Sequence, residues 1–169
     1  GAILGDGHIN KNQDRIGFEV SEEWLAKKFI LNVQQTFEHP ALICHRVTKG
    51  KLRYLSGFSN KSAKRLFTKI IGIPAGKKSN IIVVPELIKE SSRECKLAFL
   101  EGVFDTDGGS RGRALGLTTA SKDFRAGLVD LLAENGIKAY KEEWLNKIYN
   151  RSYYGLRFQR GFIPSFMQG

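Results

Sequence analysis

Apolar positions recur along the chain with two spacings. At 97–105, LAFLEGVFD sets Leu97, Leu100 and Phe104 on one stripe and Ala98, Gly102 and Asp105 on another, the spacing of a helix. A turn is expected just beyond it, at Asp107, Gly108 and Gly109. The same periodicity predicts helices over 21–37 and 121–135, with Ser21 and Ser121 placed as N-caps and Asn135-Gly136 as the stop of the latter. Residues 60–71 read as a further helix. Alternation with period two marks strands near 8–11, 15–20 and 111–119. ALICHRVT and LRYLSGF flank a Lys-Gly-Lys turn at 49–51, the mark of a hairpin, and IKAYKEEWL with YYGLRF make the corresponding pair further on.

The order helix, hairpin, helix, hairpin, helix therefore occurs twice. Residues confirm the repeat: SEEWLAKKF at 21–29 parallels SKDFRAGLV at 121–129, YLSGF at 54–58 parallels YGLRF at 154–158, and GAILGDG at 1–7 parallels GVFDTDG at 102–108. Pro74, Gly76 and Pro85 punctuate the connection. The expected organisation is a first lobe at 1–72, a linker at 73–90 and a second lobe at 91–169.

Composition adds limits. A chain of 169 residues with 41% hydrophobic content buries about 70% of its unfolded surface, so it needs neither disulfide nor structural metal to fold. Cys44 and Cys95 stand 51 positions apart without metal-ligand spacing, and are expected to be packed thiols in an intracellular, reducing compartment, either cytoplasm or nucleoid or an organelle. No apolar run approaches the ~18 residues of a membrane span, and no secretion signal is visible. Charge is more informative. The 27 Lys and Arg against 17 Asp and Glu give a net +10, which suggests a polyanionic partner. No acid occurs in the 47 positions between Glu38 and Glu86, where ten bases lie, and none in the 26 residues after Glu143. These bases alternate through strand-like segments, unlike the single basic face of a membrane-surface helix, so nucleic acid is the expected partner.

Both copies of the first helix end in Asp-Gly, as LGDG at 4–7 and DTDG at 105–108. A single Asp-Gly is an ordinary turn signal; two in register after matching helices are not. Gly1 with Gly5, and Gly102 with Thr106, put small side chains on one helix stripe, where two backbones can approach closely. Packing through these stripes would bring Asp6 and Asp107 together, and paired carboxylates with carbonyl oxygens suit a hard cation such as Mg²⁺. Two other readings fail. Gly116 stands where a calcium loop opened by Asp105 needs its closing glutamate, and GIPAGKKS at 72–79 has only three residues between its glycines.

These motifs resemble the LAGLIDADG homing endonucleases. LEGVFDTDG at 100–108 matches the nine-letter motif closely, and GAILGDG matches its last seven positions. Two motifs about one hundred residues apart resemble the single-chain members. The resemblance implies an α+β fold of two pseudo-symmetric αββαββα lobes forming a saddle whose antiparallel sheets face DNA. It implies Asp6 and Asp107 as metal-binding catalytic residues, with Gly5 and Thr106 supplying backbone carbonyls. Lys61 is the candidate basic catalytic residue, with Lys77 or Lys78 as substitutes, and His8 lies close enough in sequence to touch the site. The family's polar residue before the second helix is absent, since Val20 and Ala120 hold those places.

The implied activity is hydrolysis of one phosphodiester on each strand of a long, asymmetric double-stranded DNA site by a monomer using Mg²⁺, the chain being intron-encoded. Strand alternation places Tyr54, Ser56 and Phe58 opposite in face to Arg53, Leu55 and Gly57, and Tyr154, Leu156 and Phe158 opposite to Tyr153, Gly155 and Arg157. The less apolar sets are assigned to DNA. Candidate contacts are Lys11, Arg15, Arg46, Lys49, Lys51 and Arg53 in the first lobe, and Arg111, Arg113, Lys141, Lys147, Arg151, Tyr153 and Arg157 in the second. The alternatives are a non-cleaving nucleic-acid-binding protein on the same saddle, such as an intron RNA maturase or a regulator, and an endonuclease domain excised from an intein.

Overall fold

A computed structural model describes residues 1–111, 114–148 and 150–159, with only the backbone of Arg111 and Gln159. The chain forms two units, Ala2–Lys77 and Lys78–Gly169, the latter joined by Gly1. Each unit contains a four-stranded antiparallel sheet. The strand orders, β1-β2-β4-β3 and β5-β6-β8-β7, are the same pattern repeated.

In the first unit, β1 (Gly7–Ile9) and β2 (Arg15–Val20) precede α1 (Glu23–Phe37), and β3 (Leu42–Thr48) and β4 (Lys51–Ser59) precede α2 (Lys61–Arg65), which widens into a π turn over Leu66–Ile70. Alternation explains the layering. Ile16, Phe18 and Val20 of β2 are buried, as are Ser56 and Phe58 of β4, and α1 covers this face with Leu25, Ala26, Phe29 and Val33. Phe29 stacks on Phe18 with ring centroids 4.9 Å apart, and Phe37 stacks on Phe58 at 5.5 Å. The β3–β4 turn holds Lys49 and Gly50 at φ 50° and 73°, the left-handed pair that a two-residue hairpin turn needs. Asn60 caps α2 by accepting the Ala63 N–H at 2.9 Å.

The second unit contains α3 (Glu86–Lys89), α4 (Arg93–Asp107), β5 (Gly108–Arg111), β6 (Ala114–Thr119), α5 (Lys122–Glu134), β7 (Tyr140–Asn146) and β8 (Arg151–Gln159). Leu100, Val103, Leu117, Phe124, Leu128, Leu132, Leu156 and Phe158 fill its core. Phe104 meets Phe158 edge to face at 5.1 Å. Ser121 caps α5 through the Phe124 N–H at 3.2 Å and donates its own hydroxyl to the Ile82 carbonyl at 2.6 Å. One turn on, Gly127 admits Val84, whose Cγ2 would lie 2.8 Å from a Cβ there. Ile82 and Val84 are thereby buried on α5, and Gly136 at φ 78° ends its extension.

Four expectations need correction. Ser21 does not cap α1: Glu22 occupies that position without a side-chain cap, and the Ser21 hydroxyl accepts from Arg53 at 3.0 Å. Helix α1 starts two residues beyond Ser21, whereas α5 starts directly after Ser121, so the two serines are equivalent in sequence but not in backbone position. Residues 2–6 form a turn, since so short a stretch closes few helical hydrogen bonds. No separate turn follows α4: Asp107 is its last residue and Gly108 opens β5 in an extended conformation. Finally, Cys44 and Cys95 are both exposed, Cys44 on β3, which forms the sheet's edge, and Cys95 in the first turn of α4. Among the described residues no helix is long and apolar enough to cross a membrane.

Candidate nucleic-acid interface and motif carboxylates

The second motif ends α4. Asp107 is half-buried, Thr106 Oγ1 donates to the carbonyls of Gly102 and Val103 at 3.1 and 3.0 Å, and the Gly108 N–H donates to Phe104 O. The carbonyls of a final helical turn lack amides one turn ahead, and the aligned peptide dipoles add roughly half a negative charge there. The Asp107 carboxylate adds its charge at that end of the helix. In the first motif, Gly5 is half-buried, Asp6 is exposed, and the Gly7 N–H donates to Ala2 O at 3.2 Å.

The glycine after each aspartate has a packing reason. A Cβ on Gly108 would lie 2.3 Å from Phe104 O, and one on Gly7 would lie 2.5 Å from the Ile3 Cα. In both units the strand leaves against backbone four residues earlier, a path open only to glycine. Gly1, which belongs with the second unit, lies close to α4: a Cβ there would be 2.7 Å from the Gly102 Cα.

Each sheet has one face covered by its helix and one open. In the first unit, register places Arg15, Gly17 and Glu19 of β2 with Leu55, Gly57 and Ser59 of β4 on the open face, together with Arg53 and Arg46, which are directly paired. His8 lies over Gly17, whose added Cβ would meet the imidazole at 2.3 Å. Arg46 reaches across β4 to Glu19, with Nη2 2.9 Å from Oε2 and 3.1 Å from Oε1. Lys51 shares the face at the strand start, Lys49 occupies the hairpin turn, and Lys11 lies in the β1–β2 turn with its stem 3.3 Å from the Cβ position of Gly76.

In the second unit, Tyr153, Gly155 and Arg157 of β8 share the open face with Tyr140, Glu142, Trp144 and Asn146 of β7. Arg157 Nε lies 3.0 Å from Glu142 Oε1. The Trp144 ring lies over Gly155 and near-parallel to Tyr153, centroids 6.4 Å apart, while the Arg151 guanidinium stands 5.8 Å from the Tyr153 ring centroid and donates to Ser79 Oγ at 3.3 Å. Lys147 is exposed in the β7–β8 turn. Lys141 pairs with buried Leu156 and so falls on the register of the helix-covered face, although it is exposed. Arg111 ends β5, and Arg113 lies outside the described residues.

Lys61 is exposed at the start of α2. It follows Ser59, which pairs with Arg15, whereas Gly7 beside Asp6 pairs with Phe18. Lys61 and Asp6 thus belong to opposite ends of the β1–β2 hairpin. Lys77 is exposed and Lys78 half-buried. Among the described residues no three His, Cys, Asp or Glu side chains converge. Sequence reasoning missed Glu19, Glu142 and Trp144 on the open faces, because only register places them there. It also missed Arg125, buried on α5, whose Nη1 donates to Glu142 O at 2.8 Å and whose guanidinium lies 5.1 Å from the Tyr154 ring centroid.

Two sheets of one strand order, each with a helix-covered face and an open face, and two Asp-Gly junctions define an α+β protein of repeated units. Residues 94–166 match the LAGLIDADG-like domain family, which places this part of the chain in the LAGLIDADG family. A variant of the homing endonuclease I-DmoI superposes with a TM-score of 0.69 at 16% identity, over 99% of this chain and 92% of that one. I-DmoI has also been solved with DNA and Ca, where the TM-score is 0.65 at 16% identity, over 95% of this chain and 80% of that one. Full-length WhiA of Thermatoga maritima gives 0.64 at 16% identity, over 99% of this chain and 51% of WhiA. In sequence, the Replication factor C small subunit of Methanocaldococcus jannaschii is 33% identical over 154 residues, 91% of this chain. The chain spans only 8% of the length of that relative and 17% of its Thermococcus kodakarensis counterpart.

Proposed function

We propose that this chain is a site-specific endonuclease that hydrolyses one phosphodiester on each strand of double-stranded DNA, acting as a monomer with a divalent metal. The observation that carries the reading is the repeated junction: each unit ends its motif in Asp-Gly, the glycine is required by packing in both, and each unit adds a sheet whose open face bears arginines. Asp6 and Asp107 each serve one strand. The donor set fits a hard cation, since carboxylate and carbonyl oxygens are what Mg²⁺ takes, and one carboxylate per unit leaves most of its sites to water and to phosphate oxygens of the substrate. When bound, the metal supplies Lewis-acid stabilisation of the leaving oxygen and lowers the pKa of the attacking water. Asp107 and the Thr106 carbonyl would hold it in one unit, Asp6 and the Gly5 carbonyl in the other. The open faces bind and orient the duplex in a major groove wide enough for a β-ribbon.

The test is incubation of the protein with a plasmid library of randomised inserts and Mg²⁺, followed by sequencing of the ends. Paired breaks at one long site, absent with chelator, support the reading. A second reading, a non-cleaving nucleic-acid-binding protein, rests on the fold being shared with WhiA as well as with I-DmoI; specific binding without breaks would favour it. The small share of the Replication factor C relatives that is matched supports a domain embedded in a longer polypeptide, the intein reading, over a free-standing intron product.

A further inference from the structure

Among the described strand residues, Glu19 and Glu142 are the carboxylates on the two open faces, and each holds an arginine. Arg46 Nη2 donates to both carboxylate oxygens of Glu19, and Arg157 Nε lies 3.0 Å from Glu142. The two pairs are alike in exposure, with the glutamates at 32% and 31% and the arginines at 56% and 54%. Glu142 is also held from the opposite side of the sheet, where buried Arg125 donates to its carbonyl at 2.8 Å. A carboxylate on a surface that binds a polyanion opposes binding, because it repels phosphate and cancels the arginine that would release counterions. Two such pairs on two open faces therefore cost affinity, and what they add is discrimination.

We propose that Arg46–Glu19 and Arg157–Glu142 are specificity-determining units, each reading one G·C base pair in its half of the DNA site. The major-groove edge of a G·C pair offers the N7 and O6 acceptors of guanine beside the N4 amino donor of cytosine. An arginine beside a glutamate offers the complementary donor and acceptor. At the reversed or an A·T pair the carboxylate meets an acceptor, or the arginine loses its two-acceptor partner, and a partly buried charge is left unmatched. Arg53 contrasts with both, because its donor contact is the neutral Ser21 hydroxyl at 3.0 Å and it keeps its full charge for phosphate.

The inference rests on the DNA-binding reading above. The experiment selects bound duplexes from a randomised pool, in Ca²⁺ to avoid depending on cleavage, for wild type, Glu19→Gln, Glu142→Gln and Arg157→Gln, with thermal melting to establish that each is folded. In each glutamine variant of a glutamate, preference for G·C at one position should fall roughly 5- to 150-fold. Affinity for random duplex should rise, and the slope of log K against log salt should steepen by about 0.9 as the released arginine finds a phosphate. Arg157→Gln should lose the same position's preference as Glu142→Gln, without the steeper slope. Unchanged slopes and unchanged base preferences in folded variants would overturn this inference while leaving DNA binding intact. Failure of wild type to bind any duplex at low salt would overturn the reading beneath it.

Discussion

The two open sheet faces share a strand order and an arginine–glutamate pair, and differ in the residues around that pair. The face of the first unit carries His8, Arg46 and Arg53, with Glu19 held by Arg46, and no Phe, Tyr or Trp among its paired strand positions. That of the second carries Tyr140, Trp144 and Tyr153 around the narrow strip left by Gly155, with Arg151 and Arg157 at either end. One backbone pattern thus surrounds its arginine–glutamate pair with further charged donors in one copy and with aromatic rings in the other. Arginine is suited to guanine edges and phosphates, whereas apolar groups in the major groove suit the thymine methyl. Under the proposed function, a duplicated fold that has diverged in this way would read two unlike half-sites.

The largest effects should come from the carboxylates, where the units are expected to be alike. Asp6→Asn and Asp107→Asn should each slow double-strand cleavage on the order of a thousandfold, since several kcal/mol of charge stabilisation is removed while side-chain shape is kept. Duplex affinity in Ca²⁺ should change little. Gel assays that resolve nicked from linear plasmid would show whether the units differ, and wild-type cleavage by either variant would end the assignment.

The junction glycines come next. Gly108→Ala and Gly7→Ala should each cost about 1–3 kcal/mol, because the added methyl meets backbone that must shift. Melting temperature checks this, at about 2–4 °C per kcal/mol for a chain of this size. Unaltered melting would mean that Asp-Gly serves chemistry alone.

Replacing arginines probes the faces directly. Arg53→Ala should weaken binding to all sequences and reduce the salt slope by about one, as loss of a phosphate contact does. Arg157→Ala should cost about 1–3 kcal/mol at one base position and leave the slope nearly unchanged. Equal behaviour of the two variants in salt titrations would erase the distinction between a hydroxyl-bonded and a carboxylate-paired arginine. The smallest effect tests the repeat itself. Ser121→Ala should lose about 1 kcal/mol with its cap and its bond to Ile82, whereas Ser21→Ala, which caps nothing, should stay within about 0.5 kcal/mol by chemical denaturation.

How legible the molecule was in its sequence depends on the range of the interaction concerned. Helix α5, its Ser121 cap and its Gly136 stop are decided by neighbours a few residues away, and so is the Lys49-Gly50 hairpin turn; sequence determined these alone. The strand faces followed as well, because a side chain's face is fixed by alternation once the strand is known, and Phe58 and Leu156 are buried as that rule requires. The duplication and the two Asp-Gly junctions were equally plain, being patterns of identity and spacing. Tertiary structure alone decided which residues meet across strands. Arg46 reaches Glu19 from 27 positions away and Arg157 pairs with Glu142 only because β7 and β8 adopt one register. Similarity of sequence also misled where backbone offset mattered, as at Ser21, and burial of Cys44 failed because β3 forms an edge whose position depends on the whole sheet. Local periodicity is a short-range property of the chain, whereas pairing register and edge position arise when the sheet closes, and a single stretch of residues does not contain them.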